Sequence, residues 1–133
     1  VRLVPIDQDW EIALSLGYQL MQERESEINI SHKEVPEWDD HCEYMKNHPY
    51  KDWFILFVGG DPVGTLYVTQ KNEVGIFILK EFKSKGYGTE ALKILKWGKD
   101  TKFYANINPD NFGSKMFFTE KMGAKLVQLT YKF

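Results

Sequence analysis

The stretch from Val74 to Leu92 constrains this chain most: Val74-Gly75-Ile76-Phe77-Ile78-Leu79, then Lys80-Glu81-Phe82-Lys83-Ser84-Lys85-Gly86-Tyr87-Gly88, then Thr89-Glu90-Ala91-Leu92. A β-branched apolar run leads into a basic Gly-x-Gly loop and on into a helical pattern. Such a strand delivers exposed backbone N–H groups to a helix N-terminus, where the partial positive charge of the dipole favours an anion. Gly86 and Gly88 remove side chains that would hold a ligand off the backbone, and Lys83 and Lys85 add positive charge beside the same amides. The loop therefore reads as a phosphate cradle. A tight strand-to-helix turn with solvated lysines is the alternative that two glycines alone leave open.

Two common phosphate motifs are excluded. A P-loop needs Gly-x-x-x-x-Gly-Lys-Ser/Thr, whereas this loop continues Gly88-Thr89-Glu90. A dinucleotide fingerprint would accept Ala91 in its last position, but no first strand of a Rossmann repeat precedes it.

A second strand–turn–helix follows, from Phe103-Tyr104-Ala105-Asn106-Ile107-Asn108-Pro109-Asp110 through Asn111-Phe112-Gly113-Ser114-Lys115-Met116-Phe117-Phe118 to Thr119-Glu120-Lys121-Met122-Gly123-Ala124. Together the two stretches resemble the GCN5-related N-acetyltransferase (GNAT) superfamily. Its Gln/Arg-x-x-Gly-x-Gly/Ala loop appears here as Lys83-Ser84-Lys85-Gly86-Tyr87-Gly88. Its later Asn-x-x-Ser/Ala-x-x-x-Tyr-x-x-x-Gly helix appears as Asn111 to Phe118 with Gly123 closing it. The resemblance is strongest from Val74 to Ala124, and the order of elements extends it over nearly the whole chain.

The resemblance implies an α/β (α+β) fold over residues 1–133: a central, mixed but mostly antiparallel sheet of about six strands flanked by helices, with a cofactor slot between two splayed central strands. It implies acetyl-coenzyme A as donor and a primary amine as acceptor, on a small molecule such as an amino sugar or polyamine. Phe77, Ile78 and Leu79 would line the pantetheine slot, and Lys83, Ser84, Lys85, Gly86, Tyr87, Gly88 and Thr89 would hold the pyrophosphate. Asn111, Ser114, Phe117, Phe118 and Lys121 would flank the arm. A coenzyme-A-binding module without turnover is the alternative.

Composition agrees with one globular domain. Hydrophobic residues make up 43% and aromatic residues 15% of 133 positions, enough for a core without staples. A net charge of −2 gives no electrostatic case for nucleic acid. Cys42 is the single cysteine, which excludes an internal disulfide and favours a reducing, cytoplasmic setting. No apolar run approaches the roughly 20 residues of a membrane span. Cys42 and the histidines His32, His41 and His48 make no metal spacing, and the histidines are placed on loops or a helix surface.

Along the chain, Val1–Val4 reads as a strand and Asp7 as the N-cap of a helix running to about Glu23, with Trp10, Leu14, Tyr18 and Met21 on its inner stripe. Residues 23–33 are polar and aperiodic, and the resemblance places the acceptor wall there. Pro36 opens a second helix that ends near His48-Pro49, with Trp38, Cys42 and Met45 inward. A hairpin follows, Trp53–Val58 and Val63–Thr69 around Gly59-Gly60-Asp61; Gly64, Leu66 and Val68 share one face, Val63, Thr65, Tyr67 and Thr69 the other. Gly88, Ala91, Leu92 and Leu95 share the buried face of the helix after the loop. Phe103, Ala105 and Ile107 alternate with Tyr104, Asn106 and Asn108 in the next strand. Lys125–Lys132 is the last strand, and its edge is left exposed or covered by a second copy in a homodimer.

Acyl transfer to an amine needs a positioned donor, a neutral amine, and stabilisation of the oxyanion and the departing thiolate. The donor half is well supplied. Elsewhere the chain departs from the family pattern. Phe118 stands where many relatives carry a tyrosine acid, and Asn106 where some carry a glutamate. The remaining catalytic candidates are Glu73, able to act through water, and Tyr104, with Asn106 kept as the matching position. Tyr67 also faces a sheet surface that a substrate could reach.

Overall fold

The computed structural model describes the backbone of residues 1–27 and 35–133, with side chains described at 1–24 and 35–133. Strand β1 (Arg2–Pro5) leads through a 3-10 turn at Ile6–Gln8 into helix α1 (Trp10–Glu27). Asp9, rather than Asp7, caps this helix, its carboxylate accepting the Ile12 N–H at 3.2 Å. The helix runs past Glu23 to Glu27, while residues 28–33 of the polar stretch, including His32, lie outside the described residues. The inserted 3-10 turn rotates the helix relative to the predicted stripe. Ala13, Leu16 and Leu20 are buried, and Trp10, Leu14, Tyr18 and Met21 are half-buried.

Helix α2 (Trp38–Lys46) starts after Pro36 and ends before His48. Met45 is inward as predicted, but Trp38 is 42% exposed, Cys42 is half-buried, and His41 is buried at 2%. His41 lies against Gly17 of α1, where a Cβ would fall 2.8 Å from Met45 Sδ and 3.2 Å from His41 Cε1. The missing side chain lets the two helices meet, and the imidazole Nε2 sits 2.9 Å from the Leu14 carbonyl. This contact between helices explains why a histidine expected on a surface is in the core.

Strands β2 (Asp52–Val58), β3 (Asp61–Val68) and β4 (Val74–Ile78) complete an antiparallel four-stranded sheet in the order β1-β2-β3-β4. Between β2 and β3 the register passes from Leu56↔Gly64 to Phe57↔Pro62, so Val63 is the extra residue of a β-bulge. The bulge moves Val63 off the face predicted for it: it is fully buried with Leu56, Leu66 and Val68.

One layer of core lies between the sheet and α1 and α2, built on Ile6, Ala13, Leu16, Met45, Ile55 and Leu79. The other lies under helix α3 (Tyr87–Lys96), where Ala91, Leu92 and Leu95 are buried as predicted and join Leu56, Val63, Leu66, Val68 and Val74. Gly64 permits the closest strand approach. A Cβ there would lie 2.2 Å from the Phe77 carbonyl oxygen, which belongs to rigid backbone. Gly64→Ala is therefore expected to lower Tm by roughly 5–15 °C, measured by thermal denaturation.

The strand count falls short of six. Residues 103–108 hold a single bridge, Glu73↔Tyr104, which is parallel, and Lys125–Lys132 forms no strand, with Leu126, Val127, Leu129 and Tyr131 exposed. Phe103 and Ala105 still pack inward and Tyr104 and Asn106 outward, so the predicted alternation holds without the ladder. Helix α4 (Phe112–Met116) continues as a π-helical turn at Phe117–Lys121, and Gly123 stops it at φ +65°. Among the described residues no helix is long and apolar enough to cross a membrane, and no group of His, Cys, Asp and Glu could hold a metal ion.

Candidate functional site

The outer edge of β4 is where the backbone leaves hydrogen-bonding groups open. Residues alternate in direction along a strand. Glu73 C=O accepts from Thr69 N–H at 2.8 Å and Leu79 N–H donates to Val63 C=O at 2.9 Å, so the odd-numbered residues turn to β3. The even ones turn outward. Val74 N–H donates to Tyr104 C=O at 2.7 Å, and Tyr104 N–H donates to Asn72 C=O at 2.9 Å. The pairing stops there, and the outward N–H and C=O groups of Ile76 and Ile78 have no strand partner among the described residues. Of the three residues expected to line a slot, Ile78 presents its backbone to the open edge. Phe77 turns its backbone to β3, and Leu79 has its N–H committed to Val63. Ile76 shares the outward backbone parity of Ile78, which the strand register alone decides.

Beyond β4 the chain makes a 3-10 turn at Lys80–Phe82, whose start is tied down by Glu23: its carboxylate accepts the Lys80 N–H at 2.8 Å. Ser84 and Gly86 both adopt left-handed backbone, at φ +63° and +82°. Gly86 is the N-cap of α3, and the first intrahelical bond is Glu90 N–H to Gly86 C=O at 3.1 Å. The N–H groups of Tyr87, Gly88 and Thr89 precede that bond and project from the helix end. Lys83, Ser84, Lys85 and Gly86 are exposed around them. The loop thus presents backbone donors, a helix dipole and lysines in one place, which suits a phosphate or pyrophosphate.

The two glycines differ in purpose. Around Gly86 a Cβ would meet nothing within 4 Å, so the residue is glycine because of its positive φ. At Gly88 a Cβ would sit 3.3 Å from Phe117 Cζ and 3.6 Å from Ile76 Cδ1. Gly88 is therefore a packing glycine that lets α3 approach both β4 and Phe117. Through it the loop and the α4 segment form one unit. Asn111 caps α4, its side chain accepting the Ser114 N–H at 3.1 Å, so its carboxamide oxygen serves the fold. Ser114 is half-buried and Lys121 exposed. Phe117 and Phe118 meet edge to face at 5.0 Å and pack into the α3-side core.

On the opposite face of the sheet the three predicted catalytic positions come together. The Glu73 carboxylate accepts from Thr69 Oγ1 at 3.3 Å on one oxygen and from Asn106 Nδ2 on the other. Thr69 Oγ1 in turn accepts the Lys71 and Glu73 N–H groups at 3.2 and 3.0 Å, so the turn itself fixes the carboxylate. Tyr104 is bridged to Glu73 through the backbone and is 45% exposed. Asn106 cannot take a proton, but it orients a group that can.

Sequence reasoning passed over the aromatic wall beside them. Tyr67 of β3 stacks on Tyr50 at 4.0 Å and 5°, with Trp53 edge-on to Tyr50 and Phe77 tilted at 6.2 Å from Tyr67. The Arg24 guanidinium lies over the Phe77 ring at 4.5 Å. Burial pushes the Tyr67 phenol upward in pKa, more than Arg24 pulls it down. Burial also raises Tyr50, helped by the bond to the Tyr44 hydroxyl at 3.2 Å, and it lowers His48 despite Asp7 nearby. Both phenols therefore stay protonated, and His48 stays neutral, around neutral pH. The signal that could have found this wall is Gly75, a glycine inside a strand, which marks a close approach.

The model of the acetyltransferase (GNAT) family matches residues 17–124. An acetyltransferase from Thermus thermophilus is similar in structure at a TM-score of 0.69 and 22% identity, covering 90% of this chain and 84% of that one. A possible acetyltransferase from Clostridium difficile 630 has a TM-score of 0.67 at 12% identity, covering 99% and 94%. An aminoglycoside acetyltransferase from an uncultured soil metagenomic sample, solved with sisomicin, has a TM-score of 0.59 at 11% identity, covering 90% and 88%. A comparison with curated proteins finds no match. With the family model covering most of its length, the chain belongs to the acetyltransferase (GNAT) family.

Proposed function

We propose that this protein moves an acetyl group from acetyl-coenzyme A to a primary amine on a small molecule. The observation that carries the reading is the continuity of two features, open N–H groups at the α3 N-terminus and an unpaired β4 edge at Ile76 and Ile78, with the pinned Glu73 carboxylate at the start of the same strand. The residues present fit the donor. Backbone N–H groups of Tyr87, Gly88 and Thr89 would bind the pyrophosphate with Lys83 and Lys85 adding charge, and the outer edge of β4 would pair with the pantetheine amides. When bound, acetyl-coenzyme A supplies an activated thioester.

The chain's own residues then do the rest. An outward N–H of Ile76 or Ile78 is a fixed donor for an oxyanion. Glu73, directly or through one water, accepts the proton that the amine must lose, and Asn106 and Thr69 hold it in place for that. Phe118 contributes packing, not a proton. The aminoglycoside acetyltransferase among the structural neighbours supports a small-molecule amine. The single cysteine fits a reducing, cytoplasmic setting.

Titration calorimetry with coenzyme A, followed by thiol release from acetyl-coenzyme A across a panel of amines, tests the reading. Micromolar binding with amine-dependent thiol release is expected. Binding without release from any amine, including at high pH, would leave the reading of a module without turnover. Phe118→Tyr adds one hydroxyl to a half-buried ring and is expected to keep the fold, with turnover unchanged or raised several-fold. A clear fall in turnover in a folded variant would mean that the added hydroxyl disturbs the site and would overturn this expectation. The exposed Leu126, Val127, Leu129 and Tyr131 favour self-association, so sedimentation at high micromolar concentration is expected to show a dimer.

A further inference from the structure

Tyr67 is seated in a way that packing alone does not require. It is the register partner of Gly75 on β4, and a Cβ at Gly75 would lie 2.2 Å from its Cε1 and Cζ and 2.5 Å from its hydroxyl oxygen. The outer end of the ring therefore rests directly on the β4 backbone. Its hydroxyl oxygen lies over Gly75, the chain neighbour of Ile76, whose outward N–H and C=O groups have no strand partner among the described residues. The hydroxyl has no hydrogen-bond partner among the described residues, whereas the neighbouring Tyr44 and Tyr50 hydroxyls bond each other.

We propose that the Tyr67 hydroxyl donates a hydrogen bond to the thiol sulfur of coenzyme A, and so stabilises the thiolate as it departs. The inference rests on the reading of the β4 edge as the donor slot. It answers the gap at position 118 from the other face of the sheet, since Phe118 lies on the α3 side and Tyr67 on the α1 and α2 side. In the step, the amine nitrogen bonds to the carbonyl carbon and the carbon–sulfur bond breaks with its electron pair on sulfur. The proton released by the amine passes to Glu73 and from there to solvent or sulfur. Tyr67 keeps its own proton throughout and acts as a donor only. The charged and titratable groups facing it are Arg24 from α1, Tyr44 from α2, Tyr50 from the segment before β2, and Glu73 from the turn before β4.

Tyr67→Phe isolates the hydroxyl, because the ring that stacks on Tyr50 and fills the space over Gly75 remains. The ultraviolet absorbance of the thiolate, followed against pH for coenzyme A bound to each protein, reads the contact without turnover. Losing a hydrogen bond to a charged sulfur is expected to raise the pKa of the bound thiol by about one unit. Turnover is expected to fall about tenfold or more, with the KM for acetyl-coenzyme A and the Tm unchanged. An unshifted thiol pKa overturns the proposal, as does a loss confined to the KM of the amine, which would place the hydroxyl on the acceptor. Wild type that binds coenzyme A without turnover would defeat the transferase reading while the thiol titration still decides this contact. Failure to bind coenzyme A at all would defeat both.

Discussion

Glu73→Gln is expected to lower kcat at neutral pH by about 100- to 1,000-fold, the range for removal of a positioned base, while the affinity for coenzyme A stays within about twofold. Glutamine keeps the size and one acceptor oxygen, so the contacts with Thr69 and Asn106 can be rearranged without emptying the turn. The pH profile separates a base from a structural acid. An amine above its own pKa arrives already neutral, so the variant should approach wild type as the pH rises past that value. A loss that stays constant across pH would mean that the carboxylate only organises the turn between β3 and β4. Steady-state rates of thiol release between about pH 6 and 10, with one amine of known pKa, make the measurement.

Gly86→Val is expected to weaken coenzyme A binding by roughly tenfold to a hundredfold in calorimetric titration, with the protein still folded. The reason is conformational. Nothing stands within 4 Å of a Cβ at this position, but the backbone sits at φ +82°, where a β-branched residue is disfavoured by about 2 kcal/mol. A valine relieves that strain by rotating the peptide units that aim the first N–H groups of α3. Lys85→Ala supplies the contrast. Its side chain is exposed, so the loss should be a few-fold and should shrink as salt is added. An affinity unchanged by Gly86→Val in a folded protein would remove the loop from the binding site.

Much of the segment from β4 through the loop to α3 was legible along the chain because it is local. A β-branched strand, a Gly-x-Gly turn and an amphipathic helix follow one another between Val74 and Leu95, and each is dictated by neighbours a few residues apart. The burial of Ala91, Leu92 and Leu95 and the left-handed stop at Gly123 follow from the same local rules. The purpose of Gly88 did not, because its reason is Phe117, which arrives from a later helix.

The group around Glu73 was set by long-range pairing. Glu73, Tyr104 and Asn106 were named separately, and only the bridge between the turn before β4 and residues 103–108 brings Asn106 onto the Glu73 carboxylate and the Tyr104 backbone alongside. Tyr67, Tyr50, Trp53, Phe77 and Arg24 come from the two strands of a hairpin, the chain before it, the next strand and the end of α1. No spacing in the sequence joins them. Strand register also reassigned particular atoms: a bulge at Val63 moved that side chain to the other core, and the parity of β4 gave the open N–H groups to Ile76 and Ile78 instead of Phe77 and Leu79. By itself the sequence determined the order of elements from β4 to α3, the Gly-x-Gly loop between them and the absence of a tyrosine at 118, all carried by residue type and short-range backbone preference. The tertiary structure decided which carboxylate is held, which amides are open and which phenol lies over Gly75 of β4, because a one-residue change of register reverses every such direction.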